Sequence, residues 1–202
     1  MSARFITFEG GEGSGKTTQI KLLHDHFVSS GAKCLMTREP GGSPAGEAIR
    51  NLLLTGGGDK WNPVAETLLF QAARVEHVER VIKPALARGE TVLCDRFLDS
   101  TLVYQGIAMG LSLEYVSRLH RMTLGTFMPD RTIVLDIDPA IGLPRAKSRA
   151  GSETRFENMD AAFHAKVREG FLALARAEPQ RCTVIDASKH IEDVWKSIRN
   201  AL

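Results

Sequence analysis

Residues 10–17 read GGEGSGKT and follow the run Arg4-Phe5-Ile6-Thr7-Phe8, so a glycine-rich turn stands between a predicted strand and a helix opening at Thr17-Thr18-Gln19-Ile20. That is the context a phosphate-binding P-loop requires. Gly10, Gly15, Lys16 and Thr17 meet the spacing G-x-x-x-x-G-K-[ST], and Gly11 and Gly13 ease a tight backbone whose N–H groups turn toward a polyphosphate. In this reading Lys16 reaches the β- and γ-phosphates and the Thr17 hydroxyl holds Mg²⁺, with Glu12, Ser14 and Thr18 completing the loop. A dinucleotide fingerprint is excluded by counting: a G-x-G-x-x-G frame from Gly11 or Gly13 needs glycine at position 16 or 18, where Lys16 and Thr18 stand.

Outward from the loop, strand and helix patterns alternate. A helix with Ile20, Leu23, Phe27 and Val28 on one side stops near Gly31, and 33–37 reads as a second strand. The turn-rich segment Arg38-Glu39-Pro40-Gly41-Gly42-Ser43-Pro44 precedes a helix through Ala48, Ile49, Leu52 and Leu53. Asn62-Pro63 is a cap and first-turn signal for the longest helix, expected to run to about Val81 before Pro84 bends or ends it. Residues 91–95 give a third strand, 113–124 a helix, 131–138 a fourth strand, and 183–186 a fifth before a C-terminal helix. The expected architecture is a single α/β domain over 1–202 with the P-loop NTPase fold: a five-stranded parallel sheet, helices on both faces and a mobile lid. The lid falls at about 145–160, RAKSRAGSETRFENMD, a basic Gly/Ser-containing insert whose plainer reading is a solvated loop.

At 202 residues the chain suits one domain, and 43% hydrophobic with 25% charged residues is ordinary for a globular protein. A net charge of +2 lends no support to nucleic-acid binding. No apolar run approaches the ~18 residues of a membrane span. Cys34, Cys94 and Cys182 are odd in number and each lies in a strand-like run, which fits three buried thiols and a cytoplasmic setting.

Cations narrow the chemistry. Arg38 ends the second strand, and Val92-Leu93-Cys94-Asp95-Arg96 has the apolar-then-acid pattern of a Walker B strand. In a parallel sheet these strand ends gather at one edge, beside the P-loop. If the reaction joins a nucleoside monophosphate to the γ-phosphate of ATP, two dianions about 4–5 Å apart repel by on the order of 10 kcal/mol at an effective dielectric near 20. Lys16, Arg38, Arg96, lid arginines and Mg²⁺ are the available counter-charges. A phosphomonoester with a second pKa near ~6 is already ionised at neutral pH, so no general base is needed. Asp95 is then better assigned to the metal's water shell or to Arg96.

With those residues in hand, the chain resembles the thymidylate kinase family over almost its whole length. The resemblance rests on GGEGSGKTT at 10–18, TREPGG at 37–42, Leu68-Leu69-Phe70-Gln71-Ala72-Ala73-Arg74, and Asp95-Arg96-Phe97 with Ser100 and Tyr104-Gln105-Gly106. It also takes in Leu135-Asp136 with Pro139 and Arg145. It implies ATP-dependent conversion of dTMP to dTDP, with ATP and dTMP as partners, Mg²⁺ as cofactor, and a homodimer. It implies that Glu12 accepts the acceptor's 3′-hydroxyl, the alternative being mere solvation. Phe70 stacks on thymine and Arg74 donates to its carbonyl; Pro40 shapes the wall near the methyl group or is simply a turn residue. Tyr104 crowds the ribose 2′ position, Ser100 and Gln105 contact the base, and Arg38 and Arg96 hold the dTMP phosphate. The P-loop position occupied by arginine in one variant of the family is Gly13 here, so the catalytic arginine is expected in the lid, at Arg149 or Arg155. Phe97 replaces the more usual His or Tyr and cannot donate a hydrogen bond. Two rivals are a kinase for another small acceptor and a guanine-nucleotide switch; the second expects an [NT]-K-x-D motif, which the sequence lacks.

Overall fold

The computed structural model describes residues 3–56, 60–148 and 155–202. The chain order is β1 (Phe5–Glu9), α1 (Lys16–Ser29), β2 (Cys34–Arg38), α2 (Pro44–Leu54), α3 (Pro63–His77), α4 (Lys83–Ala87), β3 (Thr91–Asp95) and α5 (Leu98–Thr101). There follow α6 (Leu113–Leu124), β4 (Arg131–Asp136), α7 (Pro139–Lys147), α8 (Ala161–Ala177), β5 (Cys182–Asp186) and α9 (Ile191–Ala201). Among the described residues the sheet has five strands, all parallel, in the order β2-β3-β1-β4-β5. From central β1 the chain goes first to one side and later to the other, so the segment after β1 leaves from a topological switch point, where open α/β sheets bind ligands.

Period-two alternation along the strands sorts the site's side chains between two faces. Ile6 and Phe8 of β1, Leu93 of β3 and Ile133 and Leu135 of β4 pack with Ile20, Leu23 and Phe27 of α1 and Val194 and Ile198 of α9. Phe5, Val92 and Cys94 face the other way, against Val78, Ile82, Phe97 and Leu102. Asp95 therefore shares the α1 face with Leu93, and Glu9 shares the opposite face with Phe5. Register brings Phe8 and Arg38 level with Asp95, so three strand ends meet at one height.

Several expectations are revised. Of the two outcomes expected at Pro84, the helix is not ended there: α3 passes through a wider π-helical turn, Val78–Ile82, into α4. The wide turn absorbs the proline's missing N–H and ring clash. Residues 98–108, read only as a motif, are helical, α5 running into a π-helical segment at Leu102–Ala108. The fourth strand stops at Asp136 because Asp138 caps α7, accepting from Ala140 N. Cys94 and Cys182 are buried free thiols, but Cys34 on edge strand β2 is only partly buried. Residues 145–147 of the expected lid belong to α7, residues 149–154 lie outside the described residues, and residues 155–158 form turns leading to α8.

Candidate active site

The loop after β1 is a backbone cradle. Gly10, Gly13 and Gly15 have φ of 137°, 69° and 88°, in the region that L side chains rarely enter. At Gly13 a Cβ would lie 1.9 Å from the Gly142 carbonyl oxygen, so the arginine that one family variant carries at this position has no room here. Helix α1 starts from Gly15 with no side-chain cap and no acidic residue in its first turn. By contrast, Ser43 caps α2 and Asn62 caps α3, each accepting from a backbone N–H. An uncapped helix N-terminus with free N–H groups is an anion site.

Lys16 bends back over the loop, its Nζ donating to Gly10 O at 3.1 Å, Gly11 O at 2.9 Å and Ser14 Oγ at 3.3 Å. Burial and the Arg96 charge lower its pKa to about 8, against the opposing pull of Asp95, Glu12 and Glu9. Thr17 is exposed, and its hydroxyl donates to Asp95 Oδ2 at 3.0 Å across the α1–β3 gap. Thr18, also on the first turn, points into solvent.

A cavity of about 990 Å³ runs from this loop to a second group of residues. Of the expected site residues, Glu12, Gly13, Ser14, Gly15, Lys16, Thr17 and Asp95 line its phosphate end, and Arg38, Pro40, Phe70, Arg74, Arg96, Ser100, Tyr104 and Gln105 line the rest. Gly10 and Gly11 lie behind, their carbonyls accepting from Lys16.

Arg96 is the hinge between the two ends. It alone among the described non-glycine residues has a positive φ, 69°, which turns its guanidinium back over the P-loop. It donates to Gly10 O at 3.0 Å, Ser100 Oγ at 3.0 Å and Glu12 Oε1 at 2.9 Å, and lies 5.1 Å from the centre of the Tyr104 ring. The Tyr104 hydroxyl also donates to Glu12 Oε1, at 2.9 Å. Burial opposes the Glu12 charge, but Arg96, Lys16 and the Tyr104 hydroxyl together hold its carboxyl below the ordinary range. Glu12 thus binds Arg96 and Tyr104.

The turn bearing Arg96 is held by a residue that motif reading passed over. Glu9 is fully buried; its Oε1 accepts from Phe97 N at 2.8 Å and Ser100 N at 3.3 Å, and its Oε2 from Ser100 Oγ at 2.6 Å. Burial, assisted by the charge of Asp99, pushes the Glu9 carboxyl up to about 7, with Arg96, Ser100 and Phe97 N pulling the other way. Its position directly before Gly10, breaking an apolar strand, was the available signal. Phe97 turns from the cavity into the core, edge-on to Phe5 at 5.0 Å and to His120 at 6.0 Å. Its side chain therefore needs no donor.

At the far end, Phe70 and Arg74 share a face of α3 as their i, i+4 spacing requires. Arg74, 1% exposed, donates through Nε to Glu39 Oε2 at 2.7 Å, through Nη1 to Gln71 at 3.0 Å, and through Nη2 to Phe97 O at 3.1 Å and Thr101 at 2.8 Å. One Nη1 proton takes no part in these bonds. Glu39 also pairs with His77, whose other ring nitrogen meets Thr37 Oγ1 at 2.6 Å. Pro40 follows a cis peptide bond, and its carbonyl accepts from Arg50 at 2.7 Å. Arg38 is exposed, paired with Glu47 at 3.1 Å. Glu39, Arg50 and Phe156 line the cavity although spacing did not single them out.

The lid arginines separate. Arg149 lies outside the described residues. Arg155, expected to face the phosphates, instead is 3% exposed beneath the acceptor end, ion-paired to Glu66 and donating to Leu53 O at 3.2 Å. A carboxylate buried on α3 outcompetes open solvent for the guanidinium, and Arg155 does not line the cavity.

A P-loop that shares one cavity with an arginine-bearing aromatic slot defines a nucleotide-dependent phosphotransferase with a second, small nucleotide as acceptor. The family model for thymidylate kinase matches residues 8–198. Thymidylate kinase of Caulobacter vibrioides is 49% identical over 198 residues, covering 98% of this chain and 95% of its own. That of Nitrobacter winogradskyi is 50% identical over 201 residues, covering 98% and 87%. A crystal structure of thymidylate kinase from Ehrlichia chaffeensis superposes with a TM-score of 0.81 at 34% identity, covering 100% of this chain and 98% of that one. The chain belongs to the thymidylate kinase family, enzymes that phosphorylate dTMP to dTDP with ATP as donor.

Proposed function

We propose that the transfer is direct and in-line within the one cavity, and that its continuity from Lys16 to Phe70 is the observation carrying this reading. The P-loop amides and the uncapped start of α1 hold the ATP phosphates, and Lys16 follows the charge that develops on the moving phosphoryl group. Bound phosphates oppose the burial and the Arg96 repulsion that lower the Lys16 pKa. Arg96 and Arg38 receive the dTMP phosphate, Phe70 stacks on the base, and the spare Nη1 proton of Arg74 meets the thymine carbonyl. Pro40 walls the slot, and Ser100 and Gln105 supply polar contacts. Glu12 accepts the 3′-hydroxyl, and Tyr104, held by Glu12 and Arg96, occupies the space a 2′-hydroxyl would need.

The hard oxygen donors Thr17 Oγ1 and Asp95 Oδ2, 3.0 Å apart at the cradle, suit Mg²⁺, which needs few protein ligands when phosphates and water supply the rest. Held by these two residues, the ion would supply positive charge against the phosphates. Arg149 remains the lid residue proposed for the transition state. Exposed Val64 and Leu68 on α3 and Leu113, Tyr115 and Met122 on α6 support a homodimer through these two helices. No described helix is long and apolar enough to cross a membrane; with three free thiols, this supports a cytoplasmic enzyme.

ATP made chiral at the γ-phosphorus tests direct transfer. The dTDP formed should show inversion; retention would require a phosphorylated protein intermediate and overturn the in-line scheme.

A further inference from the structure

Glu66, Phe70 and Arg74 recur at four-residue steps along α3 and so lie on one face. Phe70 and Arg74 line the cavity, whereas Glu66 is fully buried just behind it. Its Oε1 accepts from Gln105 Nε2 at 2.7 Å, and its Oε2 is ion-paired to Arg155. A carboxylate paired with a guanidinium only accepts hydrogen bonds, and Glu66 Oε2 is paired with Arg155. The amide of Gln105 must then turn its NH₂ toward Glu66. Gln105, 1% exposed, still lines the cavity, and Oε1 is the end left to face it.

Arg74 lines the same cavity, and one of its Nη1 protons takes no part in the bond to Gln71. Thymine presents a carbonyl oxygen at C4 and a donor at N3–H, the complement of that pair. Cytosine presents an amine at C4 and a bare acceptor at N3, the reverse. We propose that Glu66 is a positioning residue that sets base specificity: it locks Gln105 with its carbonyl toward the cavity, so that the slot accepts a 4-oxo pyrimidine and rejects a 4-amino one. Arg155, which does not line the cavity, pairs with the other oxygen of Glu66 and so leaves Oε1 for Gln105. The inference rests on the assignment of the Phe70–Arg74 slot to the acceptor base. Sites built to hydrogen-bond a substrate discriminate strongly because the wrong ligand leaves buried groups unpaired.

The test compares dTMP with 5-methyl-dCMP, which keeps the methyl, sugar and phosphate of dTMP but reverses the pattern at C4 and N3. Wild-type enzyme should prefer dTMP by at least about a hundredfold in kcat/KM. Glu66→Gln can present either end of its own amide, so Gln105 is free to turn. The preference should fall at least about tenfold, mainly through the two acceptor KM values, with KM for ATP unchanged. A preference that stays intact while both acceptors lose activity equally would show Glu66 to be structural only and overturn the proposal. If wild-type enzyme uses neither acceptor, the reading of the slot itself fails, which is a separate result.

Should Glu66→Gln not fold, wild-type protein labelled with ¹⁵N decides the matter. The Gln105 side-chain NH₂ signals, assigned by their loss in Gln105→Met, should stay protected from exchange when dTMP binds. A large dTMP-induced shift with loss of protection would place the NH₂, not the carbonyl, on the base and refute the lock.

Discussion

The two ends of the cavity are built by opposite means. The end assigned to the phosphates is mostly one contiguous stretch, Gly10 to Thr17, of backbone amides, one lysine and the hydroxyls of Ser14 and Thr17, joined by Asp95 from β3. The other end is drawn from β2 and the turn after it, α3, the turn after β3, α5 with the π-helical segment beyond it, and the residues before α8. Its cavity-lining side chains are held by buried carboxylates: Glu9 under Ser100, Glu39 under Arg74, Glu66 under Gln105. Any nucleoside triphosphate shares the same phosphates, so a backbone cradle suffices there. Choosing one base and one sugar demands directed donors and acceptors, and each must be fixed by a partner that water cannot replace.

The contrast is broken most sharply at Lys16. Lys16→Ala should lower kcat/KM by on the order of 10³ in an ADP-release assay while leaving the melting temperature within a few degrees, since the cradle is backbone. At the other end, function and stability should fall together. Arg74→Ala strands Glu39 in the core and should lower unfolding free energy by about 3–5 kcal/mol in urea titrations. The exposed Arg38–Glu47 pair offers the control: Arg38→Ala should change stability by less than about 1 kcal/mol yet raise KM for dTMP. A stability loss at Arg38 as large as at Arg74 would erase the distinction between buried and solvent-facing cations.

Tyr104→Ala should relax discrimination against a ribonucleotide acceptor by about tenfold, read as the kcat/KM ratio of dTMP to its ribose analogue. Unchanged selectivity would remove Tyr104 from sugar choice. A further expected effect concerns pH. A carboxyl raised from 4.5 to about 7 on folding binds its proton more tightly in the native state, so Glu9 contributes fully below about 4.5 and that contribution is lost as pH rises to 7. Between pH 5 and 8, melting of wild-type protein should decline relative to Glu9→Gln. Parallel melting curves for the two proteins would deny Glu9 its buried titration.

Legibility in the sequence follows the same divide. The P-loop, the alternation of strands and helices and helix α6 were readable because each is written in consecutive residues. The π-helical turn just ahead of Pro84 was not, since proline is a break signal unless the preceding turn widens. Residues 98–108 carried motif residues but no clean helical spacing, because that segment is buried nearly all round. Arg155 misled because basic residues in a Gly/Ser-rich insert look solvent-facing until a buried carboxylate 89 positions earlier is seen beneath them.

By itself the sequence determined the phosphate cradle, the parallel α/β order and the family, because local backbone rules and short motifs act over a few residues. Only the tertiary structure decided that Glu12 binds Arg96 and Tyr104, that Arg74 and Gln105 are held by Glu39 and Glu66, and that Glu9 carries the turn of Arg96. Those outcomes depend on which charges share a buried space, and burial is a property of distant segments meeting.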